Sequence, residues 1–212
     1  SKKLCVFMKS LLLVFAKTPV MGTLKTRLAK SIGDKRAFWI FQQLLIKTDS
    51  VLKKVLQDVV IFYSGSNPSL FNSIFHDFPK IPQKGASLGD RMAHAFQWGF
   101  KNGYTKIVII GTDLWDLDST LIKKAFESLD QTEVVIGPAT DGGYYLLGKK
   151  KMIPLIFKNK EWSSKTVFND TLKDLKKHSI SFLEKKNDID LFEDLKQQPE
   201  LFKLLKKYTD EK

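Results

Sequence analysis

The chain carries one cysteine, Cys5, so no disulfide can form within it, and its three histidines, at 76, 94 and 178, are too scattered for a zinc-type Cys/His cluster. A reducing cytoplasm is the expected compartment. The same scarcity removes Ser/His/Asp and Cys/His nucleophile systems, because Cys5 and the histidines lie outside every segment that shows chemistry. The pattern Gly-x4-Gly-Lys-Ser/Thr is absent, which disfavours P-loop NTPase chemistry. No apolar run approaches the length of a membrane span. Arginine occurs only at 27, 36 and 91, so the formal charge of +12 is almost wholly lysine. That charge is spread, with +7 over residues 1–148 and +5 over 149–212. Spread lysine reads as solvated surface, and the aromatic residues fall mainly in apolar-periodic segments instead of alternating with the lysines. Nucleic acid is therefore not expected as a partner, whereas phosphorylated small molecules are compatible.

What is present is enough apolar material for one sizeable core. Of 212 residues 43 % are hydrophobic, 16 of them Phe, which suits a single α/β domain over 1–212. Lys2-Lys3 ahead of an apolar stretch ending Val14-Phe15-Ala16 loosely mimics a signal peptide, but Lys9-Ser10 interrupts it. Cleavage there would also remove the best candidate for a first strand, Leu11–Ala16, and the strand is the preferred reading. Further strand-like runs are Val59–Tyr63, Ile107–Ile110, Val134–Ile136, Tyr144–Leu147 and the shorter Ile180–Leu183. Helical spacing runs from Arg36 to Leu56, Ser87 to Gly99, Ser119 to Leu129 and Lys165 to Lys177. Asn187-Asp-Ile-Asp190 is expected to open a helix to about Lys196, and Pro199 to start the last one. Strands alternating with helices predict right-handed crossovers and a largely parallel central sheet. No internal repeat or low-complexity linker is evident.

Two acidic residues follow apolar runs: Asp113 in Ile107-Val-Ile-Ile-Gly-Thr-Asp113, and Asp141 in Val134-Val-Ile-Gly-Pro-Ala-Thr-Asp141-Gly-Gly-Tyr-Tyr. Carboxylates at strand ends stand where open α/β sheets bind ligands and cations. Asp113 suits Mg²⁺ or Mn²⁺, which take one or two carboxylates and complete their shell with water and phosphate. Asp116 and Asp118 read better as turn formers and caps ahead of the Ser119 helix, for which Ser119 and Thr120 are also candidate N-caps. The loop Lys17-Thr-Pro-Val-Met-Gly-Thr-Leu-Lys-Thr-Arg27 can offer backbone N–H groups, Lys25 and Arg27 to phosphate oxygens, or be a solvated basic loop. Asp141-Gly142-Gly143 is a hairpin signal, although Pro138, the glycines and Tyr144-Tyr145 suggest close backbone approach to a ligand with a tyrosine for stacking or hydrogen bonding. Pro82-Gln-Lys-Gly-Ala-Ser-Leu-Gly-Asp-Arg-Met92 places Gly, Gln and Arg where a small molecule could be held, or is ordinary capping. Ser163 or Ser164 is a candidate N-cap for the Lys165 helix.

Taken in order, Phe15-Ala-Lys-Thr-Pro-Val-Met-Gly-Thr-Leu-Lys-Thr-Arg-Leu-Ala29, Gln83-Lys-Gly-Ala-Ser-Leu-Gly-Asp-Arg-Met92, Ile110-Gly-Thr-Asp113, Gly137-Pro-Ala-Thr-Asp-Gly-Gly-Tyr-Tyr-Leu-Leu-Gly148 and Trp162-Ser163 resemble a known family. It comprises small bacterial glycosyltransferase-like proteins of the GT-A, nucleotide-diphospho-sugar transferase superfamily, often described only as a domain of unknown function. Asp188-Ile-Asp190 with Glu193-Asp-Leu195 further resembles the acidic tail motif of nucleotidyltransferases in that superfamily. The resemblance implies a single GT-A, Rossmann-like α/β domain with a mostly parallel mixed central sheet flanked by helices. It implies that Lys17, Lys25 and Arg27, with Gly22 in their loop, hold a diphosphate. Gln83, Gly85 and Gly89 would lie near base or ribose, Tyr144 at the ligand, Asp113 on a divalent cation (Mg or Mn), and Asp141 as a second acid near sugar or metal. Where the family usually has Pro two residues after the Asp of Gly-Thr-Asp, this chain has Trp115, whose indole would narrow the acceptor side.

The implied activity is metal-dependent glycosyl transfer from a nucleotide-diphospho-sugar to a small-molecule acceptor, with Asp141 and Asp113 at the chemistry. Nucleotidyl transfer from an NTP to a phosphorylated acceptor is the alternative, and a non-catalytic nucleotide-binding protein the third. Base, sugar, acceptor and oligomeric state are not readable from the sequence.

Overall fold

A computed structural model describes residues 9–162 and 164–210; Cys5 and the candidate cap Ser163 fall outside them. The central strand β1 (Ser10–Lys17) is an apolar run buried on both faces. Leu12, Val14 and Ala16 enter one hydrophobic cluster, and Leu11 and Leu13 enter another on the opposite face, as the period-two alternation of a strand dictates. β2 (Asp58–Ser64), β3 (Lys80–Pro82), β4 (Lys106–Ile110), β5 (Val134–Pro138), β6 (Tyr144–Lys149) and β7 (Ile180–Phe182) complete one sheet in the order β3-β2-β1-β4-β6-β5-β7. Only β6 runs antiparallel to its neighbours, which follows from the tight Asp141 hairpin between β5 and β6. The expected mixed, mostly parallel sheet is observed.

Helices α2 (Asp34–Leu52) and α4 (Ser119–Gln131) cover the face that takes Leu12 and Val14, through Phe41, Leu45, Ile122 and Phe126. α3 (Leu88–Lys101) and the 3-10 turn Pro154–Phe157 cover the other with Met92, Phe96, Ile156 and Phe157, beside α5 (Val167–Asp174). A third cluster lies on the outer side of α2. There Ala37, Ile40 and Leu44 meet Leu28 of α1 (Thr26–Ile32), Leu195 of α6 (Phe192–Lys196) and Leu201 and Leu205 of α7 (Pro199–Asp210). The C-terminal segment is thus tied to the first helices of the chain. Among the described residues no helix is long and apolar enough to cross a membrane.

Local departures from the sequence reading have local causes. β3 carries no strand signal of its own, because three residues ending in Pro82 show no alternation. The helix expected from Arg36 is preceded by the short α1, from which Gly33, at φ 85°, separates α2. The cap of α4 is Asp118, whose side chain accepts the Leu121 N–H at 2.7 Å, so the turn-and-cap reading of that acid holds and Ser119 and Thr120 are helical. Asn187–Asp190 does not open a helix. It stays outside any helix, and α6 begins after Leu191, where the Asp194 carboxylate accepts the N–H groups of Asp190 and Leu191.

Candidate functional site

The chain leaves β1 for α2 on one face of the sheet and leaves β3 for α3 on the other, so the two connections diverge and open a crevice at the strand ends. The crevice is a cleft of about 390 Å³. Phe15 and Lys17 of β1, Ser64 of β2, Gln83 after β3, Arg91 of α3, Gly111 to Asp113 after β4 and Tyr144 of β6 line it. Four of the residues expected from sequence to hold ligand or metal besides Asp113 are therefore assembled here: Lys17, Lys25, Gln83 and Tyr144.

The charges within it are arranged differently from the sequence expectation. Lys25, in left-handed backbone geometry at φ 52°, sends its Nζ to Asp113 Oδ1 at 2.7 Å and donates to the Ile189 carbonyl at 2.5 Å. The Ile189 N–H in turn donates to the Asp113 carbonyl at 3.0 Å. Lys25 is buried, while the Asp113 carboxylate remains half open to the cleft. Arg27 sits in the first turn of α1 and donates to Asp190 Oδ2 at 3.1 Å on the exposed rim. Two of the three loop cations thus hold the C-terminal acidic segment. Lys17 is exposed and has no ion pair among the described residues. Besides Lys17 and the paired Lys25, the cleft is lined by Arg91, whose Nε donates to the Gly85 carbonyl at 3.1 Å. It is the Arg of the Pro82–Met92 segment, where the sequence places a group that could hold a small molecule.

Three carboxylates come together electrostatically at this edge. Burial pushes the Asp188 carboxyl up to about 7, and the nearby negative charges of Asp113 and Asp141 reinforce this against the opposing charge of Lys25. Asp141 lies in the hairpin, where its Oδ1 accepts the Gly143 N–H at 2.9 Å, and it is not among the residues lining the cleft. Among the described residues no group of three or more His, Cys, Asp or Glu is placed to cage a metal ion. Asp113 and, at the rim, the Arg27-paired Asp190 present carboxylate oxygen to the cleft, a sparse donor set that suits a cation keeping its waters and bound chiefly through substrate phosphate.

The remaining expected residues divide between ligand-facing and structural positions. Gln83 lines the cleft, but its Nε2 donates to the Phe62 carbonyl at 2.9 Å. The Tyr144 ring also lines it. Its hydroxyl is buried beside Thr171 without a hydrogen bond, and burial pushes that hydroxyl well above the usual phenol range. Gly85, at φ 138°, packs so closely on α3 that a Cβ would stand 2.6 Å from Asp90 Cβ. A Cβ on Gly89 would meet the Phe157 carbonyl at 2.5 Å and the Trp162 ring. Both glycines thus have packing reasons of their own. Gly142, in the hairpin, approaches backbone and not open space: a Cβ there would lie 2.2 Å from the Lys165 carbonyl oxygen. Gly22, at φ 81°, turns the exposed loop before Lys25 and has nothing near its Cβ direction. Trp115 does not narrow the cleft. It packs on the third cluster with the Lys47 Nζ 5.8 Å from its ring centroid.

Comparison with known proteins agrees with this architecture. The family described as "Uncharacterized protein conserved in bacteria (DUF2064)" matches residues 47–164. A protein of Desulfovibrio desulfuricans G20, provisionally named a nucleotide-diphospho-sugar transferase, is 31% identical with a TM-score of 0.82, covering 86% of this chain and 82% of that one. The inositol-1-phosphate CTP transferase of T. maritima is similar in fold at 16% identity and a TM-score of 0.61, over 94% of this chain and 97% of the other. So is Rv0371C of Mycobacterium tuberculosis H37Rv in complex with manganese, at 14% identity and a TM-score of 0.55, over 89% and 97%. No curated protein matches the sequence. With more than half its length matched by that family, and a relative of the same fold at 31% identity, the chain belongs to the bacterial DUF2064 family.

Proposed function

We propose that the protein is a transferase acting on a nucleotide-linked donor, and specifically a glycosyltransferase that uses a nucleotide-diphospho-sugar. The observation that carries this reading is the meeting of Lys17, Arg91 and the half-open Asp113 carboxylate in one cleft at the strand ends. The name given to the Desulfovibrio relative supports it. In this chemistry an acceptor hydroxyl attacks the anomeric carbon, the bond to the diphosphate oxygen breaks, and the electron pair departs with the nucleoside diphosphate. Lys17 and Arg91 neutralise charge developing on that leaving group, the kind of contribution that grows in the transition state. The acceptor's proton is assigned to Asp141 of the β5–β6 hairpin, which stands outside the cleft lining, so the acceptor would approach from the hairpin side. Gln83 and the Tyr144 ring border the bound donor. Asp113 would hold a divalent cation, Mg²⁺ or Mn²⁺, which when bound adds further charge neutralisation on the phosphate oxygens.

Nucleotidyl transfer is the second reading, supported by the shared fold with a CTP transferase along nearly the whole chain. There a phosphorylated acceptor attacks the α-phosphorus of an NTP and pyrophosphate leaves. Incubation with Mn²⁺ and panels of nucleotide-sugars and NTPs separates the two. Nucleoside diphosphate released from a nucleotide-sugar is expected, pyrophosphate from an NTP would transfer the assignment to the second reading, and neither product would remove both.

A further inference from the structure

One oxygen of Asp113 is already held by a cation of the chain itself. Lys25 Nζ lies 2.7 Å from Asp113 Oδ1, with the lysine side chain buried and the carboxylate half open to the cleft. The same Nζ donates to the Ile189 carbonyl at 2.5 Å, so the ammonium has an anchor that does not depend on Asp113. The other two loop cations are placed differently. Lys17 is exposed and has no ion pair among the described residues, and Arg27 meets Asp190 where both side chains are exposed. Lys25 also acts on the buried Asp188 carboxyl, which stands among the negative charges of Asp113, Asp141 and Asp194. Its backbone, at φ 52° at the N-cap of α1, holds a left-handed conformation that a lysine keeps only when its surroundings impose it. A fixed positive charge is thus built into the point where the functional reading puts a divalent cation.

We propose that Lys25 is a built-in counter-cation of Asp113 that a divalent cation has to displace, so that metal and phosphate-bearing donor enter the cleft as a unit. This rests on the reading of Asp113 as the metal residue, and the test is arranged so that the two can fail separately. An ammonium and a divalent cation on one carboxylate repel each other, and the charge-assisted bond from Lys25 to Oδ1 is lost when the carboxylate turns to the metal. Phosphate charge beside Lys17 and Arg91 offsets that repulsion, which makes the donor favour the cation and the cation favour the donor equally. Through the exchange Lys25 keeps the Ile189 carbonyl, and the C-terminal acidic segment stays tethered to the loop after β1. A lysine that only shaped the site would behave in the opposite way, since its removal would loosen Asp113 and weaken cation binding.

Mn²⁺ binding to the full chain, read from the paramagnetic resonance signal of the free ion, decides between them. Lys25→Gln keeps a donor for the Ile189 carbonyl and removes the charge. It is expected to bind Mn²⁺ alone about tenfold or more tighter than the wild type, the factor that one charge-assisted hydrogen bond represents. Lys25→Arg retains the charge and should bind as weakly as the wild type, and the gain should vanish when Lys25→Gln is combined with Asp113→Asn. Inorganic phosphate should tighten Mn²⁺ binding more in the wild type than in Lys25→Gln. If Lys25→Gln binds Mn²⁺ no tighter than the wild type, if Lys25→Arg gains as much as Lys25→Gln, or if phosphate tightens binding equally in wild type and Lys25→Gln, the counter-cation role is overturned. Wild-type binding that is lost in Asp113→Asn would then leave the metal reading standing. Mn²⁺ binding that is indifferent to Asp113→Asn, or absent from every variant, overturns both. A measurement on the wild type alone guards against a folding defect in the variants. The ¹⁵N resonance of the Lys25 ammonium should shift as Mg²⁺ is titrated with phosphate present, and a resonance unmoved throughout overturns the displacement.

Discussion

The Lys25 ammonium lies 2.7 Å from the Asp113 carboxylate while also donating to the carbonyl of Ile189, so one buried lysine joins the loop after β1, the end of β4 and the C-terminal acidic segment. Lys25→Met leaves both the Ile189 carbonyl and the Asp113 carboxylate short of a partner. It is expected to lower unfolding free energy by about 1–3 kcal/mol. Arg27→Ala removes an ion pair with Asp190 that is exposed on both sides and should cost no more than about 1 kcal/mol. Urea unfolding of the two variants side by side tests the ranking, and equal losses would contradict it.

Lys149 gives a stability dependence on pH. Its side chain is fully buried on β6, its Nζ sits 4.2 Å and 4.3 Å from the Phe96 and Phe157 ring centroids, and no hydrogen bond reaches it. Burial pushes its ammonium down to about 7, from the ordinary lysine value of 10.5. Between those values the unfolded chain binds a proton that the folded chain has released, so stability rises as pH increases through this window and is flat below it. Lys149→Met should remove that slope between pH 7 and 9.5 and stabilise the protein at neutral pH by roughly 1–3 kcal/mol, as apolar replacement of a buried charge commonly does. Urea unfolding across that range reads both effects. A slope that persists in the variant would show that another group carries it.

Two glycines of the same edge should respond oppositely to alanine. Gly142 combines a φ of 93° with a Cβ direction that ends 2.2 Å from a backbone oxygen, so Gly142→Ala is expected to cost roughly 2–4 kcal/mol. Gly111 meets nothing within 4 Å, and Gly111→Ala should change stability by no more than about 0.5 kcal/mol. Thermal unfolding of both decides this, and a benign Gly142→Ala would contradict the hairpin's close packing on Lys165.

The sheet was legible because its strands are short apolar runs, as in Leu11–Ala16 and Ile107–Ile110, and because Asp113 and Asp141 follow such runs directly. The pairings at the site were not. Lys25 meets Ile189 and Arg27 meets Asp190 across more than 160 residues, a separation no local pattern encodes. The acidic tail is legible as a motif, yet its path past β4 follows from the Ile189 N–H bonding to the Asp113 carbonyl, which is a tertiary fact. Trp115, standing where the family usually has Pro, is expected from the sequence to narrow the acceptor side. The chain turns away from the cleft there, and the indole finds the cluster on the outer side of α2.

Nucleotide binding through Asp113 is the claim on which the functional account rests, and a thermal-shift panel of nucleotides and nucleotide-sugars, with and without Mn²⁺, tests it most directly on the wild-type protein and Asp113→Asn. At a ligand concentration of about 100 Kd the added stability is about 2.7 kcal/mol, which for a chain of this size raises Tm by roughly 5–10 °C. The account expects at least one compound to produce a rise that grows with Mn²⁺, and expects the Mn²⁺ increment to disappear in Asp113→Asn. A panel without any shift, or a shift indifferent to both Mn²⁺ and Asp113→Asn, would contradict it.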